Sequence, residues 1–280
     1  MLGEAQRTQQ TPPEKRLFDG CVALYPSYVH HDKVILMEIR KVNAGQGWRW
    51  IADGFGLFRK NPLIWIVLFV IYFLILMVFT IIPLVGPLIM SVLAPVFTAG
   101  FMLACRDVEK GNELELRYLI AGFMHNTGQL VTVGGLYLIG SIAIMGLVML
   151  GGGGAILSAA AINGLQGGQP QDVAIGAVGG MLVALLVALM LLIPLLMAYW
   201  FAPALVFFND LSAPDAMKAS FTACLKNWLP FTVYSLAGFG LSIIAMIPFG
   251  LGLLVLVPVI TASLYTGYKD IFIPDVVTAE

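Results

Sequence analysis

The sequence predicts an all-α integral membrane protein: six transmembrane helices as three parallel hairpin repeats, each preceded by an amphipathic cytoplasmic helix. Three observations predict it. The 280 residues are 59% hydrophobic and 11% charged, with a mean hydropathy of +0.91; a soluble globular domain carries roughly 25% charged residues. The apolar residues come in blocks of about twenty, the length that crosses a hydrocarbon core of about 30 Å. And one stretch recurs: PVFTAGFMLACRDV (95–108) returns as PVITASLYTGYKDI (258–271).

Residues 1–44 are polar, contain TPPEK and HHDK, and have no apolar run. They read as a disordered cytoplasmic segment and not as a signal peptide; Met37 is an alternative start. Six spans follow, at about 63–82, 88–105, 130–150, 176–199, 231–247 and 251–267. PLVGP (83–87) and IPFGLG (247–252) turn the first and third hairpins. The Gly-rich stretch 151–180 reads as a loop with a short helix near 155–161. The membrane domain is then 45–273, with repeat units about 45–108, 112–211 and 212–271, and 274–280 is a short tail.

All 15 Lys and Arg lie before the first span, between spans two and three, between four and five, or after the sixth. The long Gly-rich connection carries only Asp172. Under the positive-inside rule both termini are cytoplasmic. None of the 15 basic or 16 acidic residues falls inside a span. A charge at the bilayer centre costs roughly 2.5–3.5 kcal/mol on insertion scales, so functional ones stand out when present. Their absence argues against a proton relay, a voltage sensor or an intramembrane protease. A net charge of −1 offers no field for nucleic acid. Cys21, Cys105 and Cys224 are scattered, and His30-His31-Asp32 is a single short cluster, so no metal or other cofactor is expected.

The repeat marks particular residues. FRKN, FMHN and CLKN place Asn61, Asn126 and Asn227 just before the odd spans, where they read as N-caps. Pro62 at N1 and Gln129 three residues after Asn126 fit that role. Upstream of each Asn, apolar residues at −10, −6 and −3 share one helical face: Ile51, Phe55, Phe58; Leu116, Ile120, Phe123; Met217, Phe221, Cys224. Asn112–Glu115 and Ser212–Asp215 read as capping boxes for two of these helices. With Trp48 and Trp50 in the first, the helices suit the headgroup zone or packing on the bundle. Asp107, Asp210 and Asp270 end the even spans. A carboxylate there opposes the helix dipole, so each is expected to pair with Arg59, Lys60, Lys226 or an N–H at the start of an odd span. Pro95 and Pro258 bend spans two and six, and Thr98 and Thr261 stand three residues on, where a hydroxyl can reach a freed carbonyl.

The segments GFGLFRKNPLIWIV (54–67), LAPVFTAGFMLACRDVEKG (93–111), MAYWFAPALVFFNDLSAPDAMKASF (197–221), NWLPF (227–231) and IPFGLGLLVLVPV (247–259) resemble a family of uncharacterised proteobacterial six-span inner-membrane proteins. The likeness runs from about Met37 to Ile273. A looser one, in the hairpins alone, is to the membrane domains of some bacterial glycerophosphodiester phosphodiesterases, whose catalytic domain this chain has no room for. The resemblance implies topology and a place in the bacterial inner (cytoplasmic) membrane, and no substrate. The function expected is a non-enzymatic membrane component that binds lipid or a membrane-protein partner, with a homo-oligomer open; the alternative is a transporter or channel for a neutral or apolar solute.

Overall fold

The computed structural model describes residues 39–83, 85–166 and 170–273. The polar segment up to residue 38, with its alternative start and His-His-Asp cluster, and the tail 274–280 lie outside the described residues. Every element described is helical: α1 Gln46–Lys60, α2 Pro62–Thr80, α3 Val85–Glu109, α4 Tyr118–Ala121, α5 Thr127–Gln166, α6 Pro170–Trp200, α7 Ala202–Asn209, α8 Ala213–Lys226, α9 Trp228–Met246 and α10 Leu253–Phe272.

Five of these are long and apolar enough to cross a membrane: α2, α3, the first part of α5, the joined stretch of α6 and α7 from Val178, and α9. The sixth expected span is the 20-residue helix α10, whose last turn carries Lys269 and Asp270.

Breaks between helices follow from single residues. Pro62 bars the α region for its predecessor, and Asn61 takes φ −145°, separating α1 from α2. At the first hairpin turn a Cβ on Gly86 would lie 1.7 Å from the Phe79 carbonyl oxygen, so only glycine fits. Pro203 opens α7 after the break at Phe201, while Pro95, Pro194 and Pro258 remain inside continuous helices.

The core sits around α3. Its apolar window is 61% buried, against 17% for α2 and α9. Glycine brings backbones into contact there: Gly100 faces the Tyr118 carbonyl, Gly122 the Val96 carbonyl and Gly134 the Val92 carbonyl. Phe69 stacks on Phe101 at 4.6 Å, and Tyr72 packs on Phe97. α1 is clamped to α9 and α10 in the same way, with Gly47 against Pro230 and Gly54 against Val259 and Ser263.

Two expectations need correction. The Gly-rich stretch is not a loop, because α5 continues to Gln166 and α6 starts at Pro170. Its glycines each cost about 1 kcal/mol of helix propensity relative to alanine, whereas its alanines favour the helix. The middle amphipathic helix is a single turn, Tyr118–Ala121. The Asn112–Glu115 box does not form, since Glu115 pairs with Arg117 instead. Ser212–Asp215 does form: the Asp215 N–H donates to the Ser212 hydroxyl, which donates to the Asp215 carboxylate.

Candidate functional site

Apart from Asp172, the charged residues of the described segments lie before the odd spans start or where the even spans finish. Twice the entrance of an odd span holds the segment leaving an even one directly, and at the third entrance residues 40–42 stand between the two. Lys60, beside Asn61, donates to the Val108 carbonyl at 3.0 Å. Asn126 donates to the Val206 carbonyl and to the Asp210 carboxylate at 2.6 Å. Asn227 accepts from the Val42 N–H at 2.8 Å and donates to the carbonyls of Arg40 and Ala223. Arg40 is tied in turn to the end of α10, by its N–H to the Ile271 carbonyl and its guanidinium to that of Ile273. Residues 40–42, read from the sequence as part of a polar tail, therefore close the ring between its last and first members.

The asparagines hold the cap positions without capping. Asn61 and Asn227 make no side-chain capping bond. Asn126 adopts φ +50° and aims at Asp210, itself at φ +53°; Asn and Asp tolerate this left-handed conformation best. Gln129 also turns away from a capping role and accepts from the Ala213 N–H that opens α8. Caps are local bonds, and here a more distant partner supplies a buried or paired site that the first turn cannot.

The aspartates likewise depart from the expected basic partners. Asp107 accepts from the Tyr118 hydroxyl at 2.9 Å, with the Arg106 guanidinium 3.6 Å away. Asp210 meets His125 and Asn126, at the start of α5. Asp270 accepts from Gln46 at 2.6 Å and from the Trp50 indole at 2.7 Å. Uncharged donors thus hold much of this ring, which suits partly buried carboxylates because a neutral donor is the cheaper one to desolvate. Burial first, and the Asp107 bond second, push the Tyr118 phenol well above its ordinary range.

Pro95 and Pro258 are buried inside α3 and α10. Thr98 and Thr261 bond the carbonyls of Ala94 and Val257, the residues just before each proline. Those are ordinary i−4 back-bonds; the carbonyls that the prolines free lie three residues earlier.

Sequence reasoning missed three groups of contacts. Ser220 of α8 accepts from the Phe201 N–H, freed by the α6–α7 break, and donates to the Met197 carbonyl. Tyr118 and Trp50 are buried anchors whose only sequence signal was an aromatic residue before an odd span. At the centre of this end, Glu109 accepts from Tyr265 and Lys269, and Tyr268 donates to Asn209. Arg106, Asn209 and Lys269, which take part in or adjoin this cluster, occupy the same position before the three aspartates.

The outer side of this end is apolar and basic together. On α1, Trp48 and Phe55 are exposed, and the Arg59 guanidinium lies 5.9 Å from the Phe55 ring centroid. Leu116, Ile120 and Phe123 are exposed beside α4, and Leu225 and Trp228 flank Lys226. The opposite faces of these segments, with Trp50, Tyr118 and Ala223, are buried in the bundle. Among the described residues no three His, Cys, Asp or Glu side chains cluster as a metal site. Burial holds the Cys224 thiol up at about 12, so it is protonated and a poor nucleophile.

Comparisons place the chain among known proteins. A domain of unknown function, DUF7847, matches residues 48–277. A probable inner membrane protein of Burkholderia thailandensis is 34% identical over 249 residues, covering 83% of this chain and 91% of the relative. No solved structure matches.

Proposed function

The chain belongs to the DUF7847 family and is an inner-membrane protein, and from that premise we propose a non-enzymatic membrane component that binds anionic lipid along its cytoplasmic rim. The observation that carries this is the two-faced segment before each odd helix. One face is locked into the bundle by Trp50, Tyr118 or Ser220, and the other offers exposed apolar side chains, with a basic residue beside them on α1 and at the end of α8. Aromatic and aliphatic groups enter the acyl boundary while Arg and Lys meet phosphates, each basic residue contributing about 1 kcal/mol near an anionic surface.

The same reading makes six crossings, with α10 as the sixth, in three parallel hairpin units whose termini are cytoplasmic. It is supported by the entrance-to-exit contacts made at Lys60 and Asn126, by the bridge through Arg40 between Asn227 and the end of α10, and by the restriction of Lys and Arg to one end. Solute transport has less support, because Glu109, Lys269, Tyr265, Tyr268 and Asn209 cross-link the even helices where a path would open.

Native mass spectrometry of delipidated protein, titrated with phosphatidylglycerol or phosphatidylcholine, tests the lipid reading. Phosphatidylglycerol adducts should dominate, and a Trp48→Ala, Phe55→Ala, Arg59→Ala triple variant should retain several-fold fewer. Equal retention of both lipids by both proteins would overturn it.

A further inference from the structure

We propose that the α2–α3 and α5–α6 hairpins together bind a lipid-soluble quinone at mid-depth, its two carbonyls accepting from the Tyr72 and Tyr137 hydroxyls and its ring lying among the aromatic side chains around them. Depth is the first part of the argument. Tyr72 of α2 stands eleven residues past Asn61, Tyr137 of α5 eleven past Asn126, and Tyr199 of α6 eleven before Asp210. At 1.5 Å per residue each lies about 16 Å from the cytoplasmic rim, near the middle of a core of about 30 Å. Thr98 of α3, nine residues before Asp107, joins them at nearly the same level. The four side chains form one group. The Tyr137 and Tyr199 rings are 4.6 Å apart, the Tyr199 hydroxyl is bonded to that of Thr98, and the Tyr72 phenol is within electrostatic reach of Tyr199. Tyr72 packs in turn on Phe97 at 5.2 Å. Eleven residues past Asn227 stands Gly238, which adds no ring.

Two of these hydroxyls have no use inside the chain. Tyr72 follows the buried Leu68 by four residues and Tyr137 follows the buried Val133 by four, so each is on the inward side of its helix. Yet among the described residues neither donates a hydrogen bond. A phenol in an apolar interior ordinarily finds a partner, and lipid tails offer none. The tight packing stops at the same level. Toward the rim Phe69, Met102, Val133 and Ala202 are buried, whereas Tyr72, Thr98, Tyr137 and Tyr199 are only half-buried. That buried layer separates the group from the cytoplasmic rim, so a ligand arrives from the bilayer. What meets it sets its chemistry. Two free donors ask for two acceptors. No charged residue stands at this depth to match a charged head, which is costly at the bilayer centre. Aromatic walls favour a flat ring, in offset or edge contact. A glycerolipid keeps its ester carbonyls near the headgroups, about 15 Å from the middle of the core. A quinone carries two carbonyls across one flat, uncharged ring and dissolves in the hydrocarbon itself.

The test uses the full chain, delipidated in detergent and titrated with decylubiquinone. Quinone retained with the protein through gel filtration is read from the absorbance of a solvent extract. Retention should saturate for wild type and fall several-fold in the double variant Tyr72→Phe, Tyr137→Phe, which keeps both rings and loses only the two donors. The rim variant Trp48→Ala, Phe55→Ala, Arg59→Ala should retain as much quinone as wild type, so this site and the anionic-lipid rim are tested apart. Dodecane, which has no carbonyl, should not displace the quinone. Retention that rises without saturating, equal retention by the double phenylalanine variant, or displacement by dodecane would overturn the proposal. Where the double variant fails to fold, Tyr72→Phe and Tyr137→Phe decide the matter singly: each should weaken retention, and wild-type retention by both would overturn it.

Discussion

Asp270, in the last turn of α10, accepts hydrogen bonds from the Trp50 indole at 2.7 Å and the Gln46 amide at 2.6 Å, so the last helix holds the first. The Trp50 ring is buried between Phe231 and Tyr234 and lies against Gly267. The acid thus secures the polar edge of a large apolar anchor. Trp50→Phe keeps most of the packing and loses the bond, and should cost about 1.5–3 kcal/mol, the range for a hydrogen bond to a charged group. Thermal unfolding in detergent reads this as a lowered Tm, and Asp270→Asn should fall by less than Asp270→Ala. Identical melting of wild type and Trp50→Phe would remove Asp270 from the closure.

Asn227 is buried and makes three hydrogen bonds, two of them to residues 40–42. Asn227→Ala leaves the Val42 N–H without its acceptor, at a cost of about 1–3 kcal/mol. The more specific readout is proteolytic. Trypsin should cut after Arg40 or Lys41 several-fold faster in the variant, because opening of this segment no longer breaks those bonds. Unchanged cleavage would show that the Arg40 contacts to Ile271 and Ile273 suffice alone.

Gly54 meets α10 so closely that an added Cβ would lie 2.7 Å from the Ser263 nitrogen and 2.8 Å from the Val259 oxygen. Both are backbone atoms and cannot rotate aside. Gly54→Ala should therefore destabilise, by about 1–3 kcal/mol as overpacking does, although alanine is the better helix former. Gly56→Ala, on the same helix with open space around it, should leave Tm unchanged or raised. The pair of melting curves checks the contact, and equal effects at the two positions would refute it.

Tyr118 donates to Asp107 from a buried site, with its phenol held above the ordinary value of 10.0. A raised pKa contributes stability that is fully present below the unfolded value and is lost as pH rises toward the folded one. Tyr118→Phe should melt below wild type at pH 8, and the gap should narrow as pH climbs past about 10. Paired melts from pH 8 to the alkaline limit of the detergent measure this, and a constant gap would assign the loss to packing alone.

Ser220 serves the α6–α7 break by taking the Phe201 N–H at 2.9 Å. Ser220→Ala strands that buried donor and should cost about 1–3 kcal/mol. Ser220→Thr keeps the hydroxyl and should recover part of the loss in the same melting assay. No recovery, with Ser220→Ala at wild-type Tm, would mean the break stands without it.

What the sequence determined by itself was whatever depends on composition and local period. Blocks of about twenty apolar residues read out the membrane helices, Pro62 and the PLVGP turn marked helix ends, and the repeated Asp marked the even exits. These are properties of one segment facing one solvent, so no partner need be known. The tertiary structure decided where the polar groups of those segments point. Asn61, Asn126 and Asn227 stand where caps stand, but the side chains of Asn126 and Asn227 find distant carbonyls and a carboxylate, and Asp107 and Asp270 find Tyr118 and Trp50 in place of Arg59, Lys60 or Lys226. These side chains bond whatever the fold brings within reach, and that depends on residues far away in the sequence, as with Gln46 and Asp270. The Gly-rich stretch, read from its glycine content as a loop, runs on as helix through Gln166 and again from Pro170.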